Sequence, residues 1–223
     1  TSGYEEAAGQ GILAGMNAAA YAQGRPQVVL GRAQAYIGVM VDDLASRPFD
    51  EPYRMLTSRC EYRLLLRPDT AQERLAEIAF AHGLISAEAV EDAREHRSEL
   101  DRVIGRLDAL TILPRADHDA ILSAHSIEPV SKPMSATDLL RRPDVRFPHV
   151  LEIASALGCG LEIADTLDTE RLESEVRYGA FLLRESKEVL RQAALHDRSL
   201  PGSLDYRDIP GLRIEASAKL TLH

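Results

Sequence analysis

From Pro68 onward, apolar residues recur at helical spacing. PDTAQERLAEIAFAHGLIS has a cap region, apolar positions at Leu75, Ile78 and Ala79, and a Gly83 stop, which predicts a helix. SAEAVEDAREHRSELDRVIGRLDAL predicts a longer one with Glu and Arg on its polar face. A short helix around ADHDAILSAHS follows Pro114. Pro129, Pro133, Pro143 and Pro148 then punctuate a long connection with room for one-turn helices at most. DTERLESEVRYGAFLLRESKEVLRQAALH predicts a long amphipathic helix, and a turn with a short helix closes the chain.

The first third reads differently. TSGYEEAAGQGILAGMNAAAYAQG is a helix with Thr1 or Ser2 as N-cap, Glu5 and Glu6 in the first turn, and a Gly24 stop. Its many small residues imply close approach to something, either a neighbouring sheet or a ligand. VVLGRAQAYIGVMVDDL fits a strand or a short buried helix, and periodicity does not decide. RPFDEPY makes a turn, and YRMLTSR and EYRLLLR predict two short strands with the arginines on one side. A chain that opens inside a helix cap looks like a piece of a longer one.

The 223 residues, 45% of them hydrophobic, suffice for one large domain or two small ones. No run reaches the roughly 18 apolar residues of a membrane span, and no secretory signal opens the chain, so the expected location is the cytoplasm. Cys60 and Cys159 stand far apart with no CxxC pair, so reduced thiols are expected rather than a disulfide or zinc site. A net charge of −9 repels nucleic acid at long range, so RNA contact needs a local basic patch.

Neither GxGxxG nor GxxxxGK[ST] occurs, so this chain holds no nucleotide cofactor in the usual way; the first helix could still wall such a site. Asp42 and Asp43 suit a metal or acid–base role, or simply a polar element end. The sharpest signal is EPYRMLTSRCEYRLLLRPD, which carries Arg54, Arg59, Arg63 and Arg67 with Tyr53 and Tyr62 among them. Such a set can bind phosphates bidentately and stack bases, or form surface ion pairs with Asp50, Glu51, Glu61 and Asp69. Lys132, Arg141, Arg142 and Arg146 make a second basic spot.

TSGYEEAAGQGILAGMNAA, AYIGVMVDDL, EPYRMLTSRCEYRLLLRPDTAQERL, LLRRPDV and LDYRDIPGLRIEASAKL occur in this order. Together they resemble the GidA/MnmG family, the FAD-dependent subunit of the tRNA uridine 5-carboxymethylaminomethyl modification enzyme. The resemblance implies a mainly α fragment. Residues 1–68 would end an α/β, Rossmann-like, glutathione-reductase-type FAD-binding domain, contributing its closing helix and short strands. Residues 69–223 would form a helical C-terminal domain, incomplete at its C-terminus.

By the same resemblance, Thr1, Ser2, Gly3, Tyr4 and Glu5 match the helix start that closes over the flavin. Arg54 and Arg63 match arginines on the tRNA and cofactor side of the cleft, and Arg59 and Arg67 match further positions of that block. No catalytic residue and no metal ligand carries over, and Cys60 stands where the family usually has alanine. Leu56, Thr70 and Arg213 replace the usual Phe, Asn and Ser, and RYGAFLL lacks the family's YEGYI pattern. The implied cofactors are FAD, with NADH as reductant. The implied partners are tRNA, the GTPase subunit MnmE and a second copy in a homodimer. Catalysis is not expected of the fragment alone. A helical interaction module, or a fragment of the related folate-dependent tRNA uridine methyltransferase, is the alternative.

Overall fold

The computed structural model describes residues 1, 3–196, 199, 201 and 204–221. The chain divides into two compact units, Thr1–Ser186 and Lys187–His223. In the first, α1 (Tyr4–Ala22) packs on α2 (Tyr36–Ser46). The N-cap of α1 is Gly3, without a side-chain cap hydrogen bond, in place of the expected Thr1 or Ser2; Ser2 lies outside the described residues. Thr1 Oγ1 instead accepts from Gln10 Nε2 at 2.8 Å.

The stop at Gly24 is as expected. Its φ is +64°, and Arg25 N–H reaches back to the Ala20 carbonyl at 2.8 Å, a reversal that glycine makes at no steric cost. The small residues of α1 divide by neighbour. A Cβ on Gly9 would lie 3.2 Å from the Ile37 side chain, whereas one on Gly11 or Gly15 would meet nothing within 4 Å.

Residues 28–30 form an extended segment that joins no strand, Val28 instead donating its N–H to Asn17 Oδ1 at 2.6 Å and accepting from Asn17 Nδ2 at 3.1 Å, and the ambiguous run that follows forms helix α2. Gly38 is what lets α2 sit against that segment, since a Cβ there would lie 2.3 Å from the Gly31 carbonyl oxygen. The two strands expected between Tyr53 and Arg67 do not form. That stretch folds as a 3-10 turn, Thr57–Arg59, and a run of turns to Leu66, followed by a second 3-10 turn, Pro68–Thr70. Its buried side chains are Tyr53, Cys60 and Leu66, a spacing that no alternating strand face produces.

The remaining helices of this unit follow, and all but the first of them enclose the main core. They are α3 (Ala71–Ala81), α4 (Ala87–Ala109), α5 (Ala116–Ala124), α6 (Ala136–Leu140), α7 (Phe147–Ala156) and α8 (Thr169–His196), the last passing into the second unit. Ser86 caps α4 by accepting from Ala89 N–H at 3.3 Å. The stripe Leu100, Val103 and Leu107 on α4 meets Leu139 and Leu140 of α6, Phe147 and Ile153 of α7, and Leu172 of α8 in one buried cluster.

Two departures from the predicted helices stand out. Strands β1 (Thr111–Ile112) and β2 (Met134–Ser135) pair antiparallel, Thr111 with Ser135 and Ile112 with Met134, inside a region read as wholly helical. Helix α7 also runs 10 residues where one turn was expected. Pro148 sits in its first turn, where the missing N–H costs nothing and the fixed φ favours the helix. Glu173 of α8 completes that start by accepting from Phe147 N–H at 2.8 Å.

In the second unit, Asp205 accepts from Arg207 N–H at 2.9 Å at the head of the 3-10 turn Tyr206–Asp208. Helix α9 (Ile214–Thr221) follows. No described helix is long and apolar enough to cross a membrane.

Candidate nucleic-acid interface

The arginine-rich stretch is organised around an arginine that sequence reasoning passed over. Arg32, between the extended segment and α2, donates Nε and Nη2 to the two carboxylate oxygens of Glu61, at 2.7 and 2.8 Å. Its Nη1 reaches Asp42 at 2.9 Å and Asp43 at 2.8 Å, and Nη2 also reaches the Arg59 carbonyl at 2.9 Å. A guanidinium has five donors in a rigid fork, so this one residue ties α2 to the turns that carry the arginine block. Hydrogen bonding to Glu61 foremost holds its pKa above the ordinary arginine range.

Asp43 is fully buried and receives Tyr53 Oη–H at 3.1 Å as well as Arg32. Burial opposes its ionisation, but the bonds from Arg32 and Tyr53 outweigh that and keep the carboxyl below the usual range. The same burial, together with the neighbouring carboxylate, pushes the Tyr53 phenol up to about 12. Asp42 and Asp43 are therefore anchors for Arg32. Tyr53, only 2% exposed, is a core ring and cannot stack a base as the sequence suggested.

The four arginines of the block have separate fates. Arg54 and Arg63 are exposed and make no hydrogen bond or ion pair among the described residues. Arg67 is consumed: Nε bonds Asp69 at 3.0 Å and Nη2 bonds Glu175 of α8 at 3.2 Å, leaving the side chain 14% exposed. Arg59 packs its guanidinium carbon 5.0 Å from the Tyr53 ring centre and 5.5 Å from that of Phe49. The two rings meet edge to face at 5.3 Å.

Cys60 lies buried with Val39 and Leu66, and that burial pushes its thiol pKa up, opposite to what a nucleophile needs. The second basic spot is largely paired, Arg141 with Asp138, Arg142 with Glu128 at 3.5 Å and Arg146 with Glu173 at 3.0 Å. No group of three or more His, Cys, Asp or Glu able to hold a metal occurs among the described residues.

Arg32 carried no sequence signal because its main partner, Glu61, lies 29 residues away. Phe49 was likewise read only as part of a turn. At the other edge of the block, Glu6 of α1 accepts Met55 N–H at 2.9 Å, which lowers its carboxyl pKa and fixes the N-terminal end of α1 beside the arginines.

An arginine-rich, turn-built surface clamped onto a helical body is the architecture these residues define. Residues 87–186 match the tRNA modifying enzyme MnmG/GidA C-terminal helical domain, and residues 1–26 match glucose inhibited division protein A. The chain is 42% identical over 216 residues to the tRNA uridine 5-carboxymethylaminomethyl modification enzyme MnmG of Chloroflexus aurantiacus, covering 97% of this chain and 33% of that protein. It is 43% identical over 220 residues to the Roseiflexus castenholzii protein of the same name, covering 99% and 32%. The solved structure of Aquifex aeolicus GidA in its form II crystal superposes with a TM-score of 0.73 at 34% identity, over 99% of this chain and 34% of that one.

The chain belongs to the GidA/MnmG family. It spans about a third of the length of the curated relatives it matches.

Proposed function

We propose that this chain forms the tRNA-holding wall and helical body of a flavin-dependent enzyme that adds a carboxymethylaminomethyl group to carbon 5 of the tRNA wobble uridine. The observation that carries this reading is the pair Arg54 and Arg63, exposed and making no hydrogen bond or ion pair among the described residues, in a segment that Arg32 clamps from behind. Cations presented on a rigid support lose little freedom when they meet phosphate, and each phosphate neutralised releases counterions. Residues 1–68 then end the flavin domain and residues 69–223 form the helical domain. Arg59 and Arg67 support the phosphate-binding face, Arg67 through its tie to α8.

The residues at the start of α1 fit one wall of an FAD site and no more. Gly3 supplies no side-chain cap, and the Glu6 carboxylate folds over the helix start instead, so a flavin carbonyl would meet the positive end of the helix dipole only where Glu6 gives way. Thr1, Tyr4 and Glu5 shape that wall; Ser2 belongs to the proposal but lies outside the described residues. Bound FAD would supply the redox chemistry, with NADH as reductant. The GTPase subunit, a homodimeric assembly and a cytoplasmic setting complete the reading, in keeping with the family.

Titrating labelled tRNA with the 223-residue chain across a range of salt concentrations tests it. The reading requires binding that weakens steeply as salt rises, and a slope shallower by about 2 after Arg54→Ala with Arg63→Ala. Unchanged affinity in that double variant would remove it.

A further inference from the structure

Arg59 differs from every other arginine of its block. Its backbone is gripped by Arg32, whose Nη2 donates to the Arg59 carbonyl at 2.9 Å, and its guanidinium lies against the rings of Phe49 and Tyr53. Tyr53 is itself locked by its bond to Asp43, so the clamp runs unbroken from Arg32 through Asp43 and Tyr53 to Arg59. Yet nothing consumes the group. Nε is buried without a hydrogen-bond partner, and neither Nη nitrogen bonds another described residue. Arg67 shows the contrast, being held just as firmly but neutralised by Asp69 and Glu175.

Holding an arginine against aromatic rings leaves its unburied donors as the reactive part. Aromatic faces stabilise the cation without occupying its N–H donors, so the fork stays pointed and charged while its rotamer freedom has already been lost. With Nε shut inside, the end accessible to a ligand is the Nη1–Nη2 edge, whose two donors match two oxygens of one phosphodiester.

We infer that Arg59 is the fixed phosphate anchor of this surface, and that Phe49 and Tyr53 are positioning residues that aim it at a backbone phosphodiester of the bound RNA. This deepens the tRNA reading above and rests on it. Arg54 and Arg63 supply further charge around the anchor. Phe49 is only half-buried, so its ring is there for Arg59 more than for a core.

The salt-titrated tRNA binding measurement separates these roles. Arg59→Ala should weaken binding about 5- to 10-fold and lower the salt slope by about 1, since one phosphate contact is lost. Arg59→Lys keeps the charge but not the fork and should recover the slope without recovering the affinity. Phe49→Leu should weaken binding about 3-fold with the slope unchanged, because the charge is still present but no longer aimed. Phe49→Tyr should restore it, which a loss of general stability would not predict. A Phe49→Leu chain that binds as the parent does, or an Arg59→Ala chain with an unaltered slope, would overturn the inference if Arg54→Ala and Arg63→Ala still weaken binding. Should Phe49→Leu fail to fold, the two Arg59 variants decide alone. If none of these substitutions matters, the tRNA reading itself fails.

Discussion

Two regions of the first unit are held together by different physics. Between Leu100 and Val176, helices α4 to α8 close around sixteen buried apolar residues, and few charges are needed inside. Between Val28 and Leu66, the comparable cluster is Val39, Cys60 and Leu66, and the segment depends on Arg32 and its three carboxylates. Apolar burial is non-directional and tolerant of small shifts, whereas a guanidinium fork sets the angle and register of every group it binds. The difference suits their proposed tasks, since a body needs cohesion and a binding surface needs aimed side chains.

The comparison can be broken most severely from the helical side. Phe147→Ala should cost about 4 kcal/mol and lower the urea midpoint of the whole unit, because it empties a fully buried position between α7 and α8. Arg32→Ala should cost about 3 kcal/mol but act locally, since it takes the nearer of two cations from the buried Asp43 carboxylate and leaves Arg47 at 3.4 Å. Hydrogen exchange should quicken across residues 28–66 while the amides of α4 and α7 keep their protection; uniform loss would show that the two regions are one cooperative body. Gly38→Ala should cost about 2 kcal/mol, as its Cβ would be driven into the Gly31 carbonyl.

Alkaline pH gives a gentler probe of the polar region. The Tyr53 phenol is raised to about 12, above the ordinary tyrosine value near 10, so the stabilisation it represents is complete below about pH 10. That stabilisation is lost as pH rises through 12, and Tyr53→Phe should flatten the pH–stability curve there and, by removing one of the bonds that keep the Asp43 carboxyl low, weaken the acid limb as well. Asp43 has the opposite sign. Its lowered carboxyl pKa stabilises above the ordinary aspartate value and loses that contribution as pH falls through the folded value. The smallest effect on stability, below about 0.5 kcal/mol, belongs to Arg54→Ala with Arg63→Ala, which are exposed and unpaired, even though tRNA binding should depend on them. The purified chain should also show no visible flavin absorbance, because neither glycine-rich phosphate-binding motif occurs in its sequence.

How legible each region was follows the same division. Helices α3, α4, α5 and α8 were readable because their signals are local: an apolar repeat, a Ser86 cap, a Gly83 reversal. Helix α7 was underestimated because Pro148 reads as a breaker until its position in the first turn is known. The supposed strands between Tyr53 and Arg67 failed because a strand is defined by a neighbour, and the segment has none. Its apolar residues instead point inward at Tyr53, Cys60 and Leu66.

By itself the sequence determined where α1, α3, α4, α5 and α8 run, where Gly24 and Gly83 end two of them, that the arginines cluster, and the family whose motifs it carries. Those properties depend on neighbours within a few residues, or on order along the chain. Only the tertiary structure decided what each arginine does. Arg67 meets Glu175 across 108 residues of chain, Arg32 meets Glu61 across 29, Arg59 lies against two rings, and Arg54 and Arg63 make no hydrogen bond or ion pair among the described residues. A charge is neutralised or left free by whatever folding brings within a few ångströms of it, and that proximity is a property of the packed chain.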